Sequence, residues 1–423
     1  MSRPVGTVAA AADAPRRPDG QDRRMDDVFD FGQLVLVVSG GLLLAIGVRV
    51  VAGRLAIPTA GLLLVVAAVA SDLVDRLATV LTFQDVQRVA TLALVVILFE
   101  GGSHIGLRRF RRAAGPIVTL GVLGTFGTAA LLAVAAHYVL DLPWIVAGLL
   151  GAALAPTDPA VTFSVLAGKE VHGRSGTILE GESGFNDPVG IALMIGMVEL
   201  ATEDGGSFAI VLREFGIEMS IGLVVGIAGA VALGGLLRWS PLPDRTLYPI
   251  AVVLAAGAIY GAAAVAHGSG FLAVFVAGIL VGDLQYDARR AVRAFNSALS
   301  DLGELAAFVA LGLTIDLAFI ADEGLWWRGL VLAVLLGFVI RPLVVGPLLA
   351  AMQLTWGERG FIVWSGLKGA VPILLASLAV VGGADDAAEI YGMVFVVVLF
   401  SVVVQGTLVP TVAARLRVPM DDR

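Results

Sequence analysis

The stretch "ALAPTDPAVTF", residues 153–163, sets two prolines and a carboxylate in the middle of an apolar run. Pro156 and Pro159 stand on either side of Thr157 and Asp158. Proline lacks a backbone N–H and pushes the residue before it toward extended geometry, so helix is disfavoured at Ala155 and at Asp158. The apolar sequence continues on both sides, and the segment reads as a spanning helix broken near its centre. A second break appears in "WSGLKGAVPILL", residues 364–375, where Gly366, Gly369 and Pro372 surround Lys368.

These breaks lie in a chain with the composition of a membrane protein. Hydrophobic residues make up 58% and charged residues 15%, with a mean hydropathy of +0.92. Soluble domains average about 25% charged residues. The shortfall is spread along the whole chain. Apolar stretches near the ~20 residues needed to cross a bilayer recur about thirteen times, which predicts an all-α membrane protein of about 13 transmembrane helices. The third stretch covers 88–106, the fourth 114–138, the fifth 143–166 and the sixth 176–201; the last four are 298–318, 329–350, 358–382 and 388–414. Residues 1–29, rich in Ala, Pro, Asp and Arg, are expected to form a disordered polar tail. Residues 30–415 read as one transmembrane domain and 416–423 as a short cytoplasmic tail. Cysteine is absent, which excludes disulfides and thiolate chemistry. Neither a cofactor nor a nucleic-acid partner is implied.

Basic residues collect in alternate connections, among them "RRFRR" at 108–112, and after the last span at Arg415, Arg417 and Arg423. The positive-inside rule then predicts a cytoplasmic C-terminus, an outside N-terminus and a multi-pass protein of the cell membrane. The two broken spans, the fifth and twelfth, are seven apart in order. The eleventh pairs with the fourth in the same way, and the thirteenth with the sixth. Interruptions at corresponding positions are the signature of inverted repeats, with two broken helices crossing at a site near the midplane.

Ionisable side chains inside spans cost roughly 2.5–3.5 kcal/mol each on insertion scales, and they mark ion paths more often than they mark structure. Here they are Glu100, Asp158, Glu182, Asp187, Arg341 and Lys368, with Asp301 and Glu304 nearer one end of the tenth span. Three carboxylates fall in "LEGESGFNDPVG", residues 179–190. On a helix, Glu182 and Asn186 share one stripe, and Ser183 and Asp187 share the next. Pro188 leaves the carbonyl of Gly184 without a helical donor. Hard cations prefer oxygen ligands, and Asp187, Ser183, Asp158 and the backbone near Thr157 can supply them. A proton and a dehydrated cation relieve the same buried carboxylate, so they compete for it. Lys368 is suited to offset the negative ends of half-helices, and Asp158 the positive ends.

"APTDPA", "EGESGFNDPVG" and "GLKGAVPI", in that order on the fifth, sixth and twelfth of thirteen spans, resemble the NhaP-type monovalent cation:proton antiporters of the sodium/proton exchanger family. The resemblance implies a homodimer, with a transport bundle that moves like an elevator against a dimerisation bundle. It also implies that Asp187 is the cation- and proton-binding aspartate, with Asn186, Asp158, Thr157 and Ser183 around it. Glu182 would pair with Arg341, and Glu100 would join the ion path. Lys368 stands where many members carry arginine. One carboxylate, rather than an aspartate pair, at Asn186–Asp187 implies electroneutral exchange of Na+ or K+ for H+. A cation channel, or a proton-coupled transporter of another ion, is the alternative. No catalytic constellation suggests an enzyme.

Overall fold

The computed structural model describes residues 20–55, 58–74, 77, 81–158, 162, 169–171, 174–203, 208–239 and 242–422. Pro159, residues 1–19 and Arg423 therefore lie outside the described residues. The chain divides into two compact units. The smaller, Met1–Leu44, carries the first part of helix α1, Gly20–Leu55, which begins inside the segment expected to be an irregular tail. The larger, Ala45–Arg423, holds the rest.

Its helices follow the apolar stretches. They are α2 (Thr59–Leu73), α3 (Phe83–Val118), α4 (Thr125–Leu140), α5 (Trp144–Leu154), α6 (Arg174–Thr202), α7 (Phe208–Trp239), α8 (Leu247–Val265), α9 (Gly270–Gly282) and α10 (Arg289–Leu313). After these come α11 (Leu317–Asp322), α12 (Leu325–Leu335), α13 (Arg341–Ala350), α14 (Trp356–Trp364), α15 (Ala370–Gly382), α16 (Ala387–Phe400) and α17 (Thr407–Arg415). Six helical runs among the described residues are long and apolar enough to cross a membrane, and five shorter apolar helices accompany them. Local sequence sets several helix starts. Thr82 with Asp85, and Thr355 with Glu358, form reciprocal capping boxes that satisfy the first free N–H groups of α3 and α14.

The third and fourth stretches differ from expectation. No open connection separates them: helical structure runs from Phe83 to Leu140, and only Gly106, at φ 68° and ψ 161°, departs from it. That left-handed φ suits glycine, so one residue turns the chain where a connection containing "RRFRR" is expected, and those arginines are helical instead. Asp283 accepts the Arg108 N–H at 2.7 Å and caps the helix that restarts there. A π-helical turn, Thr119–Gly124, joins α3 to α4, and others precede α13 (Leu336–Ile340) and α17 (Ser401–Gly406).

Burial ranks the helices. In the Arg174–Thr202 run and in Ala387–Arg415, 67% of the apolar window is buried, against 28% in Phe208–Arg238. The first two are central, and α7 turns leucines and valines outward, as lipid would require. Strand β1, Lys169–Val171, pairs antiparallel with β2, Met420–Asp422, with Val171 opposite Met420. The segment read as a C-terminal tail thus staples the connection that leads into α6.

Candidate cation site

Both interruptions lie against one face of α6. Helix α5 stops at Leu154, and residues 156–158 have no regular structure. Helix α14 ends at Trp364, and α15 starts at Ala370. The two irregular segments are bonded to each other, since the Asp158 N–H donates to the Leu367 carbonyl at 2.8 Å.

Charge then settles on the free helix ends. Lys368 Nζ donates to the carbonyls of Ala155 at 2.9 Å and Pro156 at 2.7 Å, just past the end of α5. A helix leaves its last carbonyls unpaired and carries partial negative charge there, which an ammonium offsets. The Lys368 backbone N–H donates to Ser401 Oγ at 2.9 Å, at the π-helical turn before α17. Asp158 lies against Gly369, the residue that opens α15. A Cβ at Gly369 would stand 1.9 Å from Asp158 Oδ2. The carboxylate therefore sits at the positive end of α15, and only hydrogen at that Cα leaves room for it.

Helix α6 supplies the remaining groups, all at most 5% exposed. Ser183 Oγ donates to the Thr157 carbonyl at 2.5 Å, and Asn186 Nδ2 donates to Thr157 Oγ1 at 2.8 Å. One turn of α6 thus grips the break through both stripes. Asp187 is 5% exposed, and its Oδ1 has no hydrogen-bond partner among the described residues. The charged neighbours it feels are Asp158, of like sign, and Lys368, of opposite sign. One turn before Asn186 on α6, Arg341 Nη2 donates to Glu182 Oε1 at 3.0 Å. The guanidinium also donates to the carbonyls of Val363 at 2.9 Å and Ile362 at 3.2 Å, near the end of α14.

A cavity of about 650 Å³ reaches Asp187, Asp158 and Ser183. Glu100, expected on an ion path, lines it. So do Asp301, Glu304, His104 and Glu180. Sequence reading placed Asp301 and Glu304 at a helix end and assigned them no part in the site. Their spacing of three on one helix was the available signal, because i and i+3 share a face. Arg49 also lines the cavity, and its place inside the first apolar run is the signal the sequence carries for it. No three His, Cys, Asp or Glu side chains among the described residues converge as a metal-holding group. What converges is a pair of carboxylates, Asp187 and Asp158, with the hydroxyl of Ser183 and the carbonyl of Thr157.

The contact at Gly369 is testable. Gly369→Ala should cost about 1–3 kcal/mol by overpacking and should displace Asp158. Gly257→Ala, on a helix with nothing within 4 Å of the added carbon, should be neutral or slightly stabilising. Thermal unfolding of both variants in detergent checks this; equal shifts would contradict the contact.

Comparison with known proteins bears on the whole fold. The K(+)/H(+) antiporter NhaP2 of Shewanella sp. (strain ANA-3) is 32% identical over 391 residues, 91% of this chain and 67% of its own length. The Na(+)/H(+) antiporter NhaH of Halobacillus aidingensis is 27% identical over 77% of this chain and 82% of its own. The sodium proton antiporter MjNhaP1 from Methanocaldococcus jannaschii has the same fold, with a TM-score of 0.77 at 23% identity, covering 92% of this chain and 99% of that one. The model of the transmembrane sodium/hydrogen exchanger family matches residues 41–415, almost the whole helical bundle built around these two breaks, and the chain belongs to that family.

Proposed function

We propose that this chain exchanges a monovalent cation, Na+ or K+, for H+ across the cell membrane, with both ions binding in turn at Asp187. The observation that carries the reading is the state of that carboxylate. It is 5% exposed, it lines a cavity, and one of its oxygens has no hydrogen-bond partner among the described residues. An ionised group held there costs roughly 2.5–3.5 kcal/mol, which either a proton or a cation removes. Ser183, Asp158 and the Thr157 backbone are the further oxygen ligands, and Asn186 holds Thr157 in place. Glu182 is neutralised by Arg341 and takes no part in the cycle. Relatives named as K(+)/H(+) and Na(+)/H(+) antiporters support the reaction class.

In this reading the thirteen apolar stretches are thirteen spans, and α5 and α14–α15 belong to the two broken crossing helices of inverted repeats. The C-terminus is cytoplasmic, the N-terminus is outside, and the cavity faces the cytoplasm. Exchange proceeds by alternating access in a homodimer, the transport bundle moving like an elevator. Everted vesicles loaded with a pH-sensitive dye test the reaction directly. Addition of Na+ or K+ should dissipate an imposed proton gradient, and no response to either would refute antiport. Current without a proton gradient would indicate a channel.

Stoichiometry follows from the single titrating carboxylate at Asn186–Asp187. One proton for one cation moves no net charge, so a membrane potential, worth about 2.3 kcal/mol per charge per 100 mV, should leave transport unaffected. Liposomes clamped with potassium and valinomycin during sodium exchange provide the measurement. A rate that follows the imposed potential would identify a second carrier, with Lys368 or Glu100 the groups to examine.

A further inference from the structure

The site used for exchange leaves Arg49 unexplained. It is the only lysine or arginine among the described residues lining the cavity, whereas six carboxylates line it. Arg49 Nη1 pairs with Asp301 Oδ2 at 3.2 Å, and the two side chains are 48% and 49% exposed. Glu304, one helical turn from Asp301, feels the same guanidinium along with the charges of Asp158 and Asp301. Beside Arg49 on helix α1, Ala45 and Ala52 are fully packed, at 1% and 0% exposure. The backbone is therefore anchored while the long side chain is wet.

An ion pair this exposed holds weakly, because water screens it and two flexible side chains must be ordered to make it. Its partner is also the kind of oxygen ligand that a passing monovalent cation seeks. We propose that Arg49 is a built-in counter-ion of the entrance cavity, competing with incoming monovalent cations for Asp301 and so setting the apparent affinity for the transported ion. When a cation arrives, it takes over Asp301 and the guanidinium swings into solvent. When the cavity empties, Arg49 returns. The inference rests on the antiport reading of the same cavity, and it assigns the arginine a role in affinity rather than in holding the bundle together.

The two roles give opposite signs. A competitor predicts that Arg49→Gln lowers the half-saturating cation concentration by about two- to fivefold, the range expected from so exposed a pair. Asp301→Asn should raise it by a similar factor, since the unpaired guanidinium then repels the cation. The double variant keeps the cavity's net charge and should return to near the wild-type value. Arg49→Lys should behave as wild type. High ionic strength from an impermeant organic salt should shrink every difference. A tether predicts instead that both single variants act alike, lowering maximal rate and thermal stability together.

Half-saturation is read in two ways, from proton exchange in proteoliposomes and from cation-dependent thermal stabilisation of the purified protein. Stabilisation follows binding whether or not transport occurs. Absence of exchange in the wild type would refute the antiport reading alone, while the stabilisation curves would still judge Arg49. Shifts of the same sign in Arg49→Gln and Asp301→Asn, or no cation-dependent stabilisation in the wild type, would overturn the inference.

Discussion

Asp187→Asn should fold and insert normally yet exchange no cation for protons. The substitution keeps the size and polarity of the side chain and removes the charge that, in the proposed cycle, a proton and a cation alternately neutralise. The carboxylate is 5% exposed, and its Oδ1 has no hydrogen-bond partner among the described residues. An uncharged amide there offers the cation an oxygen without the electrostatic gain of roughly 2.5–3.5 kcal/mol, a loss of about a hundredfold in affinity. It also has no proton to give up. Stability should rise slightly, because a buried charge beside Asp158 is gone. The measurement is dye-monitored exchange by purified protein in liposomes, alongside its unfolding temperature. Residual exchange near the wild-type rate, with either Na+ or K+, would move the site elsewhere.

Removing either partner of the Glu182–Arg341 pair should be the most damaging change to stability. At 3.0 Å and with side chains 3% and 5% exposed, each ion depends on the other for its solvation. Breaking such a pair by deleting one side costs about 3–5 kcal/mol, because the survivor is left charged in a low dielectric. The structure makes the two losses unequal. Arg341 also satisfies the carbonyls of Ile362 and Val363 at the end of α14, so Arg341→Met removes three bonds where Glu182→Leu removes one. The double variant should recover much of the loss and retain the share due to those two orphaned carbonyls. A coupling of about 0.5–3 kcal/mol is the range for contacting residues, and the upper end is expected here. Unfolding of the four proteins in detergent gives the cycle, and purely additive losses would rule out the pairing.

Much of the fold was legible in order of residues alone. Two prolines around Asp158, and two glycines with a proline around Lys368, disfavour continuous helix through a restriction that is local to the chain. The charge deficit spread over 423 residues likewise forces the apolar runs into a bilayer. The partners on α6 were legible for the same kind of reason, since a helix with 3.6 residues per turn fixes which side chains share a stripe. That is why Glu182, Ser183, Asn186 and Asp187 could be named before any contact was known.

What a linear reading could not supply was the meeting of distant segments. Arg49 and Asp301 are 252 positions apart, and no local rule brings α1 to α10. The turn at Gly106 depends on a distant segment, since Asp283, just past the end of α9, accepts the N–H of Arg108 where the helix restarts. The sequence by itself determined the membrane class, the neighbourhoods in which α5 and α14 end and which α6 side chains share a stripe, all consequences of short-range sterics, helical period and the cost of charge in lipid. Only the tertiary structure decided that Lys368 caps α5, that Asp158 fits against Gly369, and that Arg49 shares the cavity with Asp158, Asp187, Asp301 and Glu304. Those outcomes depend on how helices far apart in sequence pack, and packing is a property of the whole bundle.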